Sequence, residues 1–251
     1  GGWIKPKAFC RKLIADKKIN TFFDSTLKSV KKNKSCWEIT TETGQKITAS
    51  NIIFCNASDI RNYSFFHELS HESFRGQVDW FEDKSVTQQE ILSNDGYMIP
   101  SVGEKIIFGS TYQKNGTSFD PSHLDSVSNK RKFNKLAPGL IKNDKDTSTK
   151  SWVGQRAASF DKKPYVGRVL KERDVRITPN KFSLEELYWH DNIYLNACYG
   201  SRGFSFAPIA SLSLVNLITN KLTTDDKFIL NYLNPERKFF KKSGIKKKEI
   251  Y

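Results

Sequence analysis

Apolar positions recur along the chain with two different periods, and these predict a short helix followed by strand-rich stretches. Apolar side chains at helical spacing fill residues 3 to 16, and Pro6 suits the first turn of a helix. From residue 19 to residue 50, short apolar runs alternate with polar turns, which is typical of a β-meander. Its predicted strands are Ile19 to Phe23, Leu27 to Lys31, Cys36 to Thr40 and Ile47 to Ser50.

Two segments are apolar on both faces, as buried parallel strands are. They are residues 51–57, with the sequence Asn-Ile-Ile-Phe-Cys-Asn-Ala, and residues 192–198, with the sequence Asn-Ile-Tyr-Leu-Asn-Ala-Cys. The second segment runs into a glycine-bearing turn, after which the pattern predicts a helix from Phe206 to Asn220.

The middle of the chain is predicted to be rich in strands. The runs at residues 75–80, 95–100 and 105–110 are predicted strands, with a tight turn at 102–104 between the last two. The polar stretch 113–131 leads into one or two lysine-rich helices, and strands at 152–156 and 163–169 flank a turn. This order of elements indicates a fold of the α+β or α/β class.

Composition narrows the class of protein. Hydrophobic residues make up 37% of the 251 residues, but the chain holds 18 Phe, 9 Tyr and 5 Trp, so bulky aromatic side chains can fill a core. A run of 18 apolar residues is missing, so we expect no membrane span. Four scattered cysteines without a CxxC pair predict reduced, mostly buried thiols in a cytoplasmic protein, with neither a metal site nor a disulfide framework.

The net charge of +14 changes the list of possible partners. A field of this sign favours a polyanion such as RNA. The alternative is a general enrichment in lysine, because the lysines are spread over the whole chain.

The first candidate for chemistry is the turn Tyr199-Gly200-Ser201-Arg202-Gly203-Phe204, which follows a predicted strand and opens a helix. Such a turn directs several backbone N–H groups and the positive end of the helix dipole at one point. That environment suits an anion or the N1/O2 edge of a reduced flavin. Close packing of helix on sheet explains the glycines equally well.

The second candidate is Arg156 in Trp152-Val153-Gly154-Gln155-Arg156, at the end of a predicted strand. A guanidinium group binds a carboxylate through two parallel charge-assisted hydrogen bonds. A lone Arg also serves as a surface or salt-bridge residue. The four histidines show no common spacing and are interpreted as surface or packing residues; they are His67, His71, His123 and His190.

Taken in order, these motifs resemble the D-amino-acid-oxidase-like flavoenzymes, the family of the glycine and sarcosine oxidases. The series comprises Gly1-Gly2-Trp3, Arg75-Gly76-Gln77, Asp95-Gly96-Tyr97, Gly154-Gln155-Arg156 with Asp161 and Pro164, Gly200-Ser201-Arg202-Gly203 with Ala207-Pro208, and Leu233-Asn234-Pro235 with Arg237. Within the family, the series is most similar to the oxidase part of bifunctional enzymes that modify the wobble uridine of tRNA.

The resemblance implies FAD as cofactor and tRNA as partner, with oxidative removal of a carboxymethyl group from 5-carboxymethylaminomethyluridine or its 2-thio form. It implies that Arg156 and Tyr97 bind the substrate carboxylate. It also implies that the flavin is held by Gly200, Ser201, Arg202, Gly203 and Phe204, and that the substrate pocket includes Arg75, Gln77 and Tyr199. Arg202 is either a second cation beside the flavin or a salt-bridge residue.

The sequence departs from the family at the pyrophosphate grip, since no Gly-x-Gly-x-x-Gly unit follows an early strand. The methyltransferase part of the bifunctional enzymes is missing as well. We therefore expect a truncated glycine-oxidase-like flavoprotein that binds FAD weakly or not at all by itself. The expected parts are a flavin-domain helix and meander (1–58), a mixed antiparallel-sheet substrate domain (59–150), a return to the flavin layer (151–222) and a basic tail (223–251).

Two other functions remain open at this point. A small-molecule amine oxidase of the glycine or sarcosine type would carry the same motifs. A non-catalytic RNA-binding remnant would keep the charge but not the cofactor, and its affinity would fall steeply with salt.

Overall fold

The computed structural model describes residues 2–84, 90–140, 149–171, 187, 189–242 and 250–251. The helices are α1 (Pro6–Leu13), α2 (His123–Leu136), α3 (Gly203–Ile218), α4 (Thr224–Leu233) and α5 (Arg237–Lys242). The strands are β1 (Leu27–Asn33), β2 (Cys36–Thr41), β3 (Lys46–Ala49), β4 (Ile52–Phe54), β5 (His71–Glu82), β6 (Leu92–Ser93), β7 (Tyr97–Val102), β8 (Lys105–Gly109), β9 (Gln113–Lys114), β10 (Lys150–Ser159), β11 (Tyr165–Leu170) and β12 (Trp189–Ala197).

The predicted meander forms from β1, β2 and β3, which pair antiparallel in chain order. Its first predicted strand, Ile19 to Phe23, was wrong, because the chain there adopts no strand and Phe23 is 73% exposed. A short apolar run has no partner to pair with at that place. Helix α1 is also shorter than predicted and ends at Leu13.

One sheet has three strands in the order β11-β12-β4. Strands β12 and β4 pair in parallel, as their two-sided apolar pattern predicts, and β11 pairs antiparallel with β12. One face of the sheet packs on a cluster that includes Phe54, Ile193 and Leu195. The other face packs on α3 and α4 through Tyr194 and Leu214, among others. Both faces are therefore buried near β12, which is the condition for a parallel pair.

The second sheet is antiparallel and has the order β10-β5-β8-β7-β6, with β9 paired to β5. Helix α2 covers one face of it through Phe133, which packs against Phe81 and Phe108. The predicted helical region after residue 131 differs in its start, because α2 begins at His123 inside the polar stretch. Only Asn129 and Phe133 are buried along α2, so its apolar stripe is too narrow to reveal the helix.

The C-terminal region differs most from the prediction of a basic tail. Helix α4 begins with a capping box formed by Thr223 and Asp226, and α5 follows directly. At the start of α5, Arg237 is only 3% exposed. Its guanidinium donates to the carbonyl oxygens of Pro164 (3.2 Å) and Asn234 (3.0 Å) and forms an ion pair with Asp161.

Arg237 thereby fixes the turn that links β10 to β11. The environment of Asp161 shows how strongly: partial burial opposes ionisation, but hydrogen bonds from Arg237 outweigh it and lower the pKa of Asp161 to about 2. Arg237 also donates to the carbonyl oxygen of Lys163 (2.9 Å). The turn is thus held by a buried cation whose donors contact both sides of it.

The cysteines differ from what the composition predicts. Cys198 is buried, but Cys10 and Cys55 are exposed, so the prediction of mostly buried thiols was wrong. Among the described helices, none combines the length and the apolar character needed to cross a bilayer. The described residues also contain no group of three His, Cys, Asp or Glu side chains placed to hold a metal ion.

Replacement of Arg237 by Ala is predicted to lower the free energy of unfolding by about 3–5 kcal/mol, because Asp161 and four carbonyl oxygens lose a buried partner. Urea unfolding followed by circular dichroism measures the change. Lys241→Ala on the same helix is the control and should shift stability by less than about 0.5 kcal/mol, since Lys241 is exposed. Equal losses in the two variants would contradict the role given to Arg237.

Candidate active site

Arg156 lies on β10, where the strand pairs antiparallel with β5 and sets Arg156 opposite Phe74. Its guanidinium crosses the backbone of the neighbouring Gly76, and a Cβ added at Gly76 would overlap Nη1 of Arg156. The added Cβ would also come within 2.8 Å of the carbonyl oxygen of Thr111. The glycine of the Arg75-Gly76-Gln77 motif is therefore required to make room for the guanidinium of Arg156.

Tyr97 and Ser110 lie beside this guanidinium. Nη2 of Arg156 donates to Oγ of Ser110 at 3.3 Å, and the side chain of Tyr97 is hydrogen-bonded to Ser110 as well. Burial raises the pKa of Tyr97, while the charge of Arg156 and the bond with Ser110 act against the rise. The structure thus brings together the two residues predicted to bind a carboxylate, Arg156 and Tyr97, and adds Ser110 between them.

Arg156 differs from Arg75 and Arg237, each of which is paired with a carboxylate. Its Nη1 is buried without a hydrogen-bond partner, and in the described part of the chain no ion pair involves Arg156. A buried N–H group left without an acceptor costs about 1–3 kcal/mol. A carboxylate ligand could offset that cost, because it accepts from a guanidinium and a phenol at the same time.

The predicted flavin-contacting turn begins where β12 ends. Cys198 and Gly200 have left-handed backbone angles (φ of 63° and 58°), which turn the chain sharply before α3 starts at Gly203. The N–H of Gly200 donates to the carbonyl oxygen of Ala157 at 2.7 Å, and Tyr199 bridges to Ala158. Ala157 directly follows Arg156, so the turn is bonded to the strand that carries Arg156.

The N-terminus of α3 has the features that a flavin edge requires. Arg202 occupies the N-cap without a side-chain cap bond, and the first turn holds no acidic residue. Ser201, Arg202 and Phe204 are exposed, and the space around the missing side chain of Gly200 is open to 3.6 Å. The first N–H groups of a helix and its positive dipole end favour negative charge, so this group of residues fits the N1/O2 edge of a reduced flavin.

The remaining pocket candidates are engaged in the protein itself. Arg75 is 4% exposed, forms an ion pair with Asp125 and donates to the carbonyl oxygen of Ser118 at 2.9 Å. Gln77 is fully buried, and its amide bonds to Ser122 and Ser126. Because side chains alternate along a strand, both point away from the face on which Gly76 meets Arg156.

These contacts make Arg75 and Gln77 supports of α2 and of the loop before it, while their place in a substrate pocket stays a prediction. Tyr199 lies next to Gly200, and its hydroxyl donates to Asn196. Its place in the pocket stays a prediction as well.

Sequence reasoning missed Ser110 and Tyr112. Tyr112 stacks on Phe74 with ring centroids 4.5 Å apart, and the guanidinium carbon of Arg156 lies 5.8 Å from its ring centroid. Both residues follow the glycine that ends the apolar strand β8. A polar residue and an aromatic residue directly after such a strand end are a signal that could have found them.

Comparison with known proteins identifies the family to which this chain belongs. The model of the FAD dependent oxidoreductase family (DAO) matches residues 1–217. A relative from Methylobacillus flagellatus, the tRNA 5-methylaminomethyl-2-thiouridine biosynthesis bifunctional protein MnmC, is 24% identical over 251 residues. That match covers 98% of this chain but 39% of the relative, so the chain spans about two fifths of the relative's length.

Two solved structures share the fold. Iminodiacetate oxidase from Chelativorans sp. BNC1 superposes with a TM-score of 0.59 and 19% identity, covering 78% of this chain and 49% of the oxidase. Glycine oxidase from Geobacillus kaustophilus superposes with a TM-score of 0.62 and 16% identity, covering 80% of this chain and 49% of that oxidase. The α+β arrangement predicted from the sequence is thereby confirmed as the fold of these flavoproteins.

The unpartnered Nη1 of Arg156 leads to a stability prediction. Arg156→Met should leave the free energy of unfolding unchanged within about 1 kcal/mol or raise it, because it removes a buried N–H that no acceptor satisfies. The matched control is Arg75→Met on the adjacent strand, which leaves Asp125 without its cation and should cost about 3–5 kcal/mol. Urea unfolding measures both, and a large loss in Arg156→Met would mean that Arg156 is a structural residue.

Proposed function

Because this chain belongs to the FAD dependent oxidoreductase family, we propose that it forms the substrate-binding part of a flavoenzyme that removes the carboxymethyl group from 5-carboxymethylaminomethyluridine, or its 2-thio form, in tRNA. One observation carries the proposal. Arg156 and Tyr97 are both hydrogen-bonded to Ser110, Nη1 of Arg156 is buried without an acceptor, and the residue after Arg156 is hydrogen-bonded to the turn that opens α3.

The substrate group explains the clamp. A carboxymethylamino group is a glycine whose nitrogen carries the nucleoside. Glycine and iminodiacetate, after which the two structural neighbours are named, contain the same N–CH2–COO⁻ unit. A single Arg–Tyr clamp can therefore hold all three by the carboxylate. The second substituent on the nitrogen must be selected elsewhere on the protein.

The residues of this chain position the reacting carbon. Arg156 and Tyr97 bind the carboxylate, and Ser110 is hydrogen-bonded to both side chains. The methylene carbon is one bond from the carboxylate, and the strand that carries Arg156 is hydrogen-bonded through Ala157 to the turn from Gly200 to Phe204. FAD, when bound there, supplies the acceptor for the hydride that leaves this carbon. Alignment of the C–H bond is thus the contribution expected from the protein.

The balance of the reaction needs only water besides the flavin. Loss of a hydride from carbon and of a proton from nitrogen gives an imine between the two atoms. Addition of one water then breaks the carbon–nitrogen bond, which releases glyoxylate and leaves an aminomethyl group on the uridine. No strong protein base is required, because the amine lone pair assists departure of the hydride.

We further propose that a segment outside this chain holds most of the FAD. Among the described strands, β4 is at the edge of its sheet, and its apolar Ile53 is 40% exposed although the sequence pattern is that of a buried parallel strand. Helix α3 exposes Phe206, Ile209 and Leu212 along one side. An added strand beside β4, with the Gly-x-Gly-x-x-Gly turn that this chain lacks, would cover both features and grip the pyrophosphate. A tRNA substrate places the assembled enzyme in the cytoplasm.

Two alternatives are separated by measurement. An oxidase of free glycine or sarcosine would use the same clamp, and the likeness to glycine oxidase favours it as the second candidate. Turnover of free glycine with no change in tRNA would support that function. An RNA-binding remnant would bind RNA with a steep salt dependence and never require flavin.

Substitution of Arg156 at the chromosomal locus tests the reaction in the assembled enzyme. With Arg156→Lys, which keeps the charge but loses the two-pronged geometry, 5-carboxymethylaminomethyluridine should accumulate and the aminomethyl-derived nucleosides should fall roughly tenfold or more. Mass spectrometry of nucleosides from total tRNA measures both. Lys150→Ala, an exposed position on the same strand, is the control. An unchanged profile in Arg156→Lys would refute the proposed reaction.

If FAD binding depends on a segment outside this chain, the purified chain should lack the yellow colour of a flavoprotein. The 251-residue chain alone should show no flavin absorption band and should not retain FAD on gel filtration, because the pyrophosphate grip is outside it. Chain that co-purifies with FAD in equal molar amount would contradict this expectation. The absorption spectrum before and after denaturation decides between the two results.

A further inference from the structure

Three exposed aromatic rings gather around the turn that follows β10. Phe160 stands on that turn and is 43% exposed, while Phe228 and Tyr232 stand one helical turn apart on α4 and are 72% and 44% exposed. The rings of Phe228 and Tyr232 are nearly parallel, with an angle of 10° between them. Exposed aromatic side chains at this density mark a binding surface more often than a solvated one.

Lysine side chains alternate with these rings. Nζ of Lys163 lies 3.8 Å from the ring centroid of Tyr232, and Nζ of Lys238 lies 5.3 Å from that of Phe160. We call Phe160, Lys163, Phe228, Tyr232 and Lys238 the aromatic–lysine surface. Asp161 is neutralised by its ion pair with Arg237, and the exposed Asp225 in the first turn of α4 is outnumbered by Lys163, Lys227 and Lys238, so the local charge is positive.

The buried Arg237 holds the aromatic–lysine surface in place. Arg237 donates to the carbonyl oxygen of Lys163 and also stands 5.3 Å from the ring of Phe160. Since Arg237 is buried, the turn that presents Phe160 and Lys163 cannot rearrange without breaking those bonds. A preorganised surface loses little conformational entropy on binding.

We propose that the aromatic–lysine surface binds the single-stranded loop of the RNA substrate next to the reacting nucleotide. Bases in RNA loops stack on aromatic side chains, and lysines between the rings contact the phosphates that join those bases. This alternation, together with a net charge of +14, favours RNA over a protein partner, whose interface centre would be depleted in lysine. The inference rests on the proposed function and names the contact surface for its substrate.

The distance from the clamp fits this arrangement. Phe160 is the first residue after β10 and follows Arg156 by four residues, which corresponds to ~13 Å at the usual rise of an extended chain. Stacked nucleotides advance ~3.4 Å each, so about four of them cover that distance. A wobble nucleotide held at the clamp would therefore have its neighbours in the loop within reach of the surface.

Binding of a fluorescein-labelled anticodon stem-loop RNA to the purified chain, followed by fluorescence anisotropy over a range of salt concentrations, tests the inference. Phe228→Ala should weaken binding roughly 5- to 100-fold, because one stacked base loses its partner, and Phe228→Trp should restore it. Lys163→Ala should lower the slope of log affinity against log salt by about 0.7, the value for one phosphate contact on a single strand.

Two matched controls are in the N-terminal part of the chain, outside the aromatic–lysine surface. Phe23→Ala removes a ring of the same exposure (73%), and Lys28→Ala removes one charge from an exposed position on β1. Both should stay within about twofold of the wild-type affinity. Circular dichroism and thermal unfolding of every variant confirm that the fold is retained.

The outcomes separate the inference from the proposed function. Wild-type binding with Phe228→Ala and Lys163→Ala equal to their controls would overturn the aromatic–lysine surface and leave tRNA as substrate. Lack of any RNA binding by the wild-type chain would overturn the surface and also count against tRNA as the partner. Binding that is weakened in both variants and restored in Phe228→Trp is the result we expect.

Discussion

The candidate site depends on the attachment of the turn after β12 to strand β10. The bond from Gly200 to the carbonyl oxygen of Ala157, with the bridge between Tyr199 and Ala158, joins two elements that belong to different sheets. Without this attachment the residues proposed to contact the flavin and those proposed to bind the carboxylate would be on independent parts. Because Ala157 is adjacent to Arg156, the position of the turn after β12 is linked to the position of Arg156 through a single peptide unit.

Three arginines in this region differ in whether their hydrogen bonds are satisfied within the protein. Arg75 and Arg237 are nearly fully buried, and each is paired with a carboxylate and with carbonyl oxygens, so their cost of burial is offset within the protein. Arg156 is half-buried, has one weak bond to Ser110 and retains an unsatisfied N–H. A protein can leave such a donor unpaired where a ligand satisfies it. The folded protein without ligand is then less stable than it would be with the donor paired.

The sequence predicts the elements whose signals are local. The meander strands β1 to β3, the two-sided apolar strands β4 and β12, and the turn into α3 all follow from alternation and from glycine positions. Helix α5 does not, because it is stabilised by contacts of Arg237 with residues 159–165, more than seventy positions earlier. A basic segment is easily taken for a frayed tail when the acceptors that bury one of its cations are that far away in sequence.

The same distinction applies within the candidate site. Arg156 and Tyr97 could be named from motifs, and the structure brings them together through Ser110, a residue that no motif marked. Arg75 and Gln77 stand in a motif with Gly76, yet only the glycine faces Arg156, since neighbouring residues of a strand point to opposite faces. A motif therefore identifies a strand that passes the site, whereas the pairing register decides which of its residues enter it. That register depends on β5 lying between β10 and β8, a long-range arrangement that is specified only once this one sheet has formed.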